Sequence, residues 1–329
     1  MRRLIVMCGL LAGVAATAGA QPAPSAAPVR DGRWVVIVSG ASGGPDYAAQ
    51  LAGWRQAIAA ALVSRFGFQA AQVVQLVDET ARESGTPATA DNVRKAFTTL
   101  KGQVAKDDLV LVVLLGHGTF DGQQAKFNLV GPDLTAADWS VMLTAIPGRM
   151  VVVNTTEASA PFLEALAARG RVVITATETA AQRYATVFPD YFAKSLGDAA
   201  SDLDKNGRTS IWEVFAAASG GVARHYSERA QLTTERAILS DTGEKAGVQA
   251  TATGPQGTMA RALYLDRDRA AESADPAVRE LIGRRRALEA DAEALLQKKP
   301  GADPGTWSAE FERLMIELAR VSREIRQRS

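Results

Sequence analysis

Five runs of nearly unbroken apolar residues punctuate the first half of the chain: RWVVIVSG (33–40), VVQLVD (73–78), DLVLVVLLGH (108–117), RMVVVNT (149–155) and RVVITAT (171–177). Each is rich in Val, Ile and Leu and does not alternate with polar residues, the pattern of strands buried on both faces of a parallel sheet. Between them the apolar positions recur at three and four. Leu51, Trp54, Ile58 and Leu62 share one helix face, and Val93, Phe97 and Leu100 share another. A third helix is expected to open at Thr135 as its N-cap, with Asp138 three residues on completing a capping box. Strands alternating with helices predict an α/β fold, a three-layer sandwich around a mostly parallel sheet. Ligands of such sheets bind beyond the carboxyl ends of the strands, where His117 and Thr155 both fall.

Toward the C-terminus the period changes. Leu281, Leu288 and Leu295 recur at sevens, and after KKPGADPG the residues Phe311, Leu314, Leu318, Val321 and Ile325 alternate in threes and fours. Two heptad-like helices about a Pro/Gly turn predict an antiparallel helical hairpin over 276–329. Its arginine-rich outer face is either a solvated surface or a place for a partner helix to dock. At the other end, Arg2 and Arg3 precede an apolar run from Leu4 to Val14 and the small residues Ala18-Gly19-Ala20. This reads as a signal peptide over 1–20, then a Pro/Ala-rich linker over 21–32, with the α/β domain over 33–270. The expected protein is exported, to the periplasm or outside the cell. No later stretch is long and apolar enough to span a bilayer.

Export changes the remaining chemistry. The single cysteine, Cys8, lies in the leader, so the expected mature chain has no thiol and no disulfide. Loss of Arg2 and Arg3 takes Lys+Arg from 37 to 35 against 36 acidic residues. A chain so nearly neutral gives no sign of a nucleic-acid partner.

DLDKNGRTSIWE (202–213) carries a metal-binding pattern. Asp202, Asp204, Asn206, Ser210 and Glu213 stand at positions 1, 3, 5, 9 and 12 of a twelve-residue loop, with Gly207 at position 6. This is the oxygen-ligand spacing of an EF-hand, in which Arg208 offers its main-chain carbonyl and Glu213 both carboxylate oxygens. The following helix is expected from Ile211 to about Tyr226. Thr209 replaces the usual aliphatic residue at position 8, and no second loop pairs with this one. A structural Ca²⁺ is the expectation, and a metal-free helix start the alternative.

GHGTFDG (116–122), FNLVGPDLTAADW (127–139), the calcium-type insertion and TERAILSDTG (234–243) follow one another in an order and spacing that resembles the legumain/caspase-like cysteine peptidases. The resemblance spans about residues 33–265. It implies a caspase/legumain-like sandwich in which a base histidine follows the third main strand and a nucleophilic cysteine the fourth. His117 matches the base. The family's A-C-E-S-G turn corresponds to TEASA (156–160), which puts Glu157 at the cysteine's position with Ser159 after it, or Thr156 there if the register shifts by one. Neither is a thiol, and the family's reaction depends on a thiolate. The Arg-His pair that the family carries after a tyrosine is also replaced, since Tyr47 is followed by Ala48 and Ala49.

Two functions follow. One is a pseudopeptidase, stabilised by calcium, that binds a peptide or protein in the old cleft or on the hairpin. The other is a hydrolase using His117 with a hydroxyl nucleophile, Thr155, Thr156 or Ser159. Ser42 in GASGG (40–44) matches G-x-S-x-G, but glycines and a proline intervene before helical sequence begins, which favours a plain turn. His117 and Glu157 would also form an ion pair at neighbouring strand ends, raising the histidine's pKa. His225 has no ligand-spaced partner for zinc and is expected to pack or face solvent.

Overall fold

A computed structural model describes residues 31–78, 85–252, 256–267, 273, 275–298 and 303–328. The expected signal peptide with Cys8, the linker up to residue 30, residues 268–272 at the domain boundary and residues 299–302 of the hairpin turn lie outside the described residues.

The chain runs β1 (Arg33–Ser39), α1 (Pro45–Ser64), β2 (Val73–Val77), β3 (Thr86–Pro87), α2 (Ala90–Gln103) and β4 (Leu109–Leu115). Then come β5 (Gly118–Phe120), β6 (Ala125–Phe127), β7 (Leu134–Thr135), α3 (Ala136–Thr144), β8 (Arg149–Asn154), α4 (Ala160–Leu166) and β9 (Arg171–Thr175). α5 (Phe188–Gly197), α6 (Ile211–Glu228), β10 (Ile238–Ser240) and α7 (Thr258–Ala262) complete the α/β part. The main sheet has the order β10-β9-β8-β4-β1-β2-β3. All its pairings are parallel except β10 on β9.

Why the strands read as unbroken apolar runs is visible in the packing. Val35, Ile37, Leu111, Val113, Val151 and Val153 face a core shared with α1, α5 and α6. Val36, Val38, Val110, Val112, Leu114 and Val152 face a second core shared with α2, α3 and α4. Helices on both faces make the three-layer α/β sandwich. Leu51, Ile58 and Leu62 are buried as the helical period requires, and Thr135 and Asp138 form the expected capping box.

The sheet is mixed, because β10 pairs antiparallel to β9 at one edge. A small antiparallel sheet, β5-β6-β7, also follows His117 directly. Strands of two or three residues carry too little periodicity to announce themselves. Their turn is held by the Asp121 carboxylate, which accepts from the main-chain N–H of Gln123 (2.9 Å) and Gln124 (2.7 Å).

The tail forms two helices, Pro276–Lys298 and Pro304–Arg328. Leu288, Ala292 and Leu295 of the first pack with Leu314 and Val321 of the second. The Trp307 indole N–H donates to the Leu295 carbonyl at 2.9 Å, tying the two helices near their connection. This hairpin belongs to the same compact unit as the sheet. Among the described residues no helix is long and apolar enough to cross a membrane.

Leu111 is wholly buried at the centre of the sheet. Leu111→Ala is expected to cost about 3 kcal/mol in urea unfolding, the usual loss for a leucine truncated in a packed core. A loss under about 1 kcal/mol would contradict its burial beneath α1, α5 and α6.

Candidate functional site

Pairing of β4 with β8 aligns Leu114 with Asn154. His117 and Glu157 each stand three residues beyond that aligned pair, so the two turns emerge side by side. Gly116 has φ 143°, and a Cβ there would press on the main chain of Gly40 at 3.3 Å. Gly118 is more constrained: a Cβ would lie 2.4 Å from Thr156 Oγ1 and 2.6 Å from the Glu157 carbonyl. The glycines flanking the histidine are therefore a packing requirement of neighbouring turns.

The turn after β8 is held from several sides. Thr155 donates its main-chain N–H (3.1 Å) and its hydroxyl (2.8 Å) to the Leu114 carbonyl. Asn154 Oδ1 accepts from the main-chain N–H of Thr156 at 3.1 Å. Ala158 adopts the left-handed region at φ 49°, unusual without a glycine, and its N–H donates to the Gln182 carbonyl at 2.7 Å. A residue held in that conformation stores strain of the kind that concentrates at functional turns.

The result is a short contact between His117 Nδ1 and Glu157 Oε1, 2.7 Å, with the two side chains 32% and 12% exposed. Tyr47, in the first turn of α1, stacks on the imidazole with ring centroids 4.5 Å apart. The hydrogen bond to Glu157 raises the pKa of His117, partial burial opposes it, and the Glu157 charge and a hydrogen bond to the Ser42 main chain add to the rise. Burial, then the Glu157 charge, pushes the Tyr47 hydroxyl well above its ordinary range, so it stays a neutral phenol. Glu157 Oε2 is buried and has no hydrogen-bond partner among the described residues.

The hydroxyl candidates point elsewhere. Thr156 donates to Asn154 Oδ1 at 2.8 Å and is buried. Ser159 is fully buried and shares a 3.1 Å hydrogen bond with Thr177 Oγ1, while the Thr177 N–H donates to Ser159 Oγ at 3.2 Å. Neither hydroxyl has a hydrogen bond to His117. Ser42 is buried too, its N–H donating to Asp78 Oδ2 at 2.9 Å, and α1 starts only at Pro45. GASGG is accordingly a turn between β1 and α1. His225 hydrogen-bonds Tyr191 across 3.2 Å and packs edge-on to Tyr191 and Tyr226, and it joins no group of metal-ligating side chains among the described residues.

The 202–213 loop forms a second site. Asp202, Asp204 and Glu213 each offer a carboxylate oxygen, all within 4.8 Å of one another. Asp202 accepts from the N–H of Asn206 (3.0 Å) and Gly207 (2.9 Å), which closes the turn. Ser210 caps α6 in a capping box with Glu213, and Glu213 Oε1 also accepts from the Leu203 N–H at 2.8 Å. Burial, then the charges of Glu213 and Asp202, pushes the Asp204 carboxyl up to about 6. Asp204 is itself exposed, so crowding by like charges is the firmer of these causes. Three carboxylates converging in one turn fit a divalent cation, which would supply the missing counter-charge. Asn206 Oδ1 accepts from the Arg208 N–H at 2.8 Å.

Sequence reading missed the Ser42 main-chain bond to the imidazole, the Asp78 anchor behind it and the strained Ala158. The glycines on either side of His117 were the available hint that neighbouring turns approach closely there.

No family model matches the chain, and no curated protein matches it. Among solved structures, protein GSU0716 from Geobacter sulfurreducens aligns over 63% of this chain and 92% of its own, at 13% identity and a TM-score of 0.40.

His117 should titrate above the ordinary histidine value of about 6.5. Because its pKa is raised in the folded state, its stabilising contribution is complete below about 6.5 and is lost as pH rises through the folded value. Proton NMR of the imidazoles, with Glu157→Gln lowering the His117 midpoint, checks this. A midpoint at or below 6.5 in the natural protein would show the ion pair to be unimportant.

Proposed function

We propose that this chain is an exported legumain/caspase-like peptidase homologue that lost its nucleophile: a calcium-stabilised pseudopeptidase that binds a peptide or protein at the carboxyl end of its sheet. The observation that carries this reading is the 2.7 Å contact between His117 Nδ1 and Glu157 Oε1. In the resembled peptidases a thiolate faces the imidazole; here a carboxylate takes the place of that anion. The charge pair is kept and the reactivity is not. Attack by a carboxylate on a peptide carbonyl would form an anhydride, uphill from an amide, with an amine as a poor leaving group.

A general base also needs a free lone pair aimed at a nucleophile. The raised pKa of His117 and the bonds of its ring to Glu157 and Ser42 bias it against that role. Thr156 and Ser159, engaged with Asn154 and Thr177, lend no support to a hydroxyl-based hydrolase.

In the loop, Asp202, Asp204, Asn206, Ser210 and Glu213 with the Arg208 carbonyl would hold the ion, which supplies a fixed charge and no chemistry to the cleft. Glu213 lies in the first turn of α6, and α6 packs on the sheet, so an ion here anchors that helix to the preceding chain.

Purified protein with calcium is expected to turn over no member of a diverse peptide library, and Glu157→Cys to gain measurable cleavage that His117→Ala then removes. Turnover by the natural protein, abolished by His117→Ala, would overturn the pseudopeptidase reading. Calcium at about 100 times its Kd should stabilise the fold by about 2.7 kcal/mol. Glu213→Gln should lose most of that gain. A melting temperature indifferent to chelator and to added Ca²⁺ would remove the metal from the proposal.

A further inference from the structure

Arg208 belongs to two structures at once. Its main chain sits at the seventh position of the 202–213 loop, where the Asn206 side chain accepts its N–H at 2.8 Å. Its side chain leaves the loop, crosses the face of Tyr264 with the guanidinium carbon 3.4 Å from the ring centre, and reaches Glu289 on the first hairpin helix at 3.6 Å. Arg208 and Glu289 are only 13% and 14% exposed, so this is an enclosed contact and not a surface pair. Tyr264 is itself fixed to the loop, because Ser210 and Tyr264 form a β-bridge flanked by hydrogen bonds from Ile211 N–H to the Leu263 carbonyl (2.8 Å) and Leu265 N–H to the Thr209 carbonyl (2.9 Å). Glu289 has two further cations beside it on its own helix, Arg285 at 3.3 Å and Arg286.

Resting on the calcium reading of this loop, we propose that cation binding at 202–213 latches the C-terminal hairpin onto the α/β domain through Arg208 and Glu289. A divalent ion held by the loop fixes the main chain from which the Arg208 side chain projects, so that side chain meets Tyr264 and Glu289 already positioned. That favours the docked hairpin. Thermodynamic linkage makes the coupling reciprocal: whatever holds the hairpin down tightens the ion by the same factor.

The full chain is to be followed by hydrogen exchange over 276–298 with Ca²⁺ or with chelator, alongside calorimetric Ca²⁺ binding. The expected result is protection of that helix at least about 5-fold greater with Ca²⁺, the lower end of usual coupling factors. Glu289→Gln should make its exchange independent of Ca²⁺ and weaken Ca²⁺ binding by a comparable factor. Asp204→Asn should hold the helix at its chelated exchange rate even with Ca²⁺ present. Calcium binding by the natural protein with unchanged hairpin exchange would overturn the latch and leave the metal site standing. Absence of calorimetric binding would overturn both, which separates the two failures.

Discussion

The structure depends on β1, β4 and β8 being apolar on both faces. Residues of each strand alternate between two cores, so neither face tolerates water and each must be covered by helices. Once both faces are closed, polar chemistry has only the strand ends and loops. The turns after these three strands are then forced together. Gly40 N–H donates to the Leu115 carbonyl at 2.8 Å, Thr155 N–H to Leu114 at 3.1 Å, and Asn128 N–H to the His117 carbonyl at 3.0 Å. The candidate site is thus a consequence of strand burial, with register deciding which residues meet.

Register also explains how far the site could be read beforehand. Unbroken runs such as LVLVVLL mark doubly buried strands, and the carboxyl-end rule then places His117 and Glu157 in one region. Their contact needed only the assumption that β4 and β8 are neighbours. The partners of Thr156 and Ser159 were not legible. Thr156 turns to Asn154, two residues back, and Ser159 to Thr177 beyond the next strand; both choices depend on rotamers and on a turn strained at Ala158. Likewise, the heptads foretold the hairpin from sequence periodicity. The Arg208–Glu289 contact joins residues distant in sequence and leaves no periodic trace.

A carboxylate beside an imidazole behaves differently from a thiolate in the same place. A thiolate and an imidazolium exchange a proton easily because their pKa values lie close, and that exchange is what arms such a dyad. In the Glu157–His117 pair the carboxylate's hydrogen bond raises the histidine's pKa and so favours the proton on nitrogen more than in a free imidazole. Stacking by Tyr47 and the Ser42 main-chain bond hold the ring in the same place. The result is a held, hydrogen-bonded pair at the carboxyl end of the sheet.

The loop at 202–213 also gathers negative groups, with carboxylate oxygens of Asp202, Asp204 and Glu213 within 4.8 Å of one another. Arg208 has its side chain committed to Tyr264 and Glu289, so it is drawn away from the three carboxylates of its own loop. One residue thus ties the main chain of the loop to the first hairpin helix. In the proposed latch an ion would complete the loop while the arginine completes the hairpin's contact, so that the two arrangements act as one.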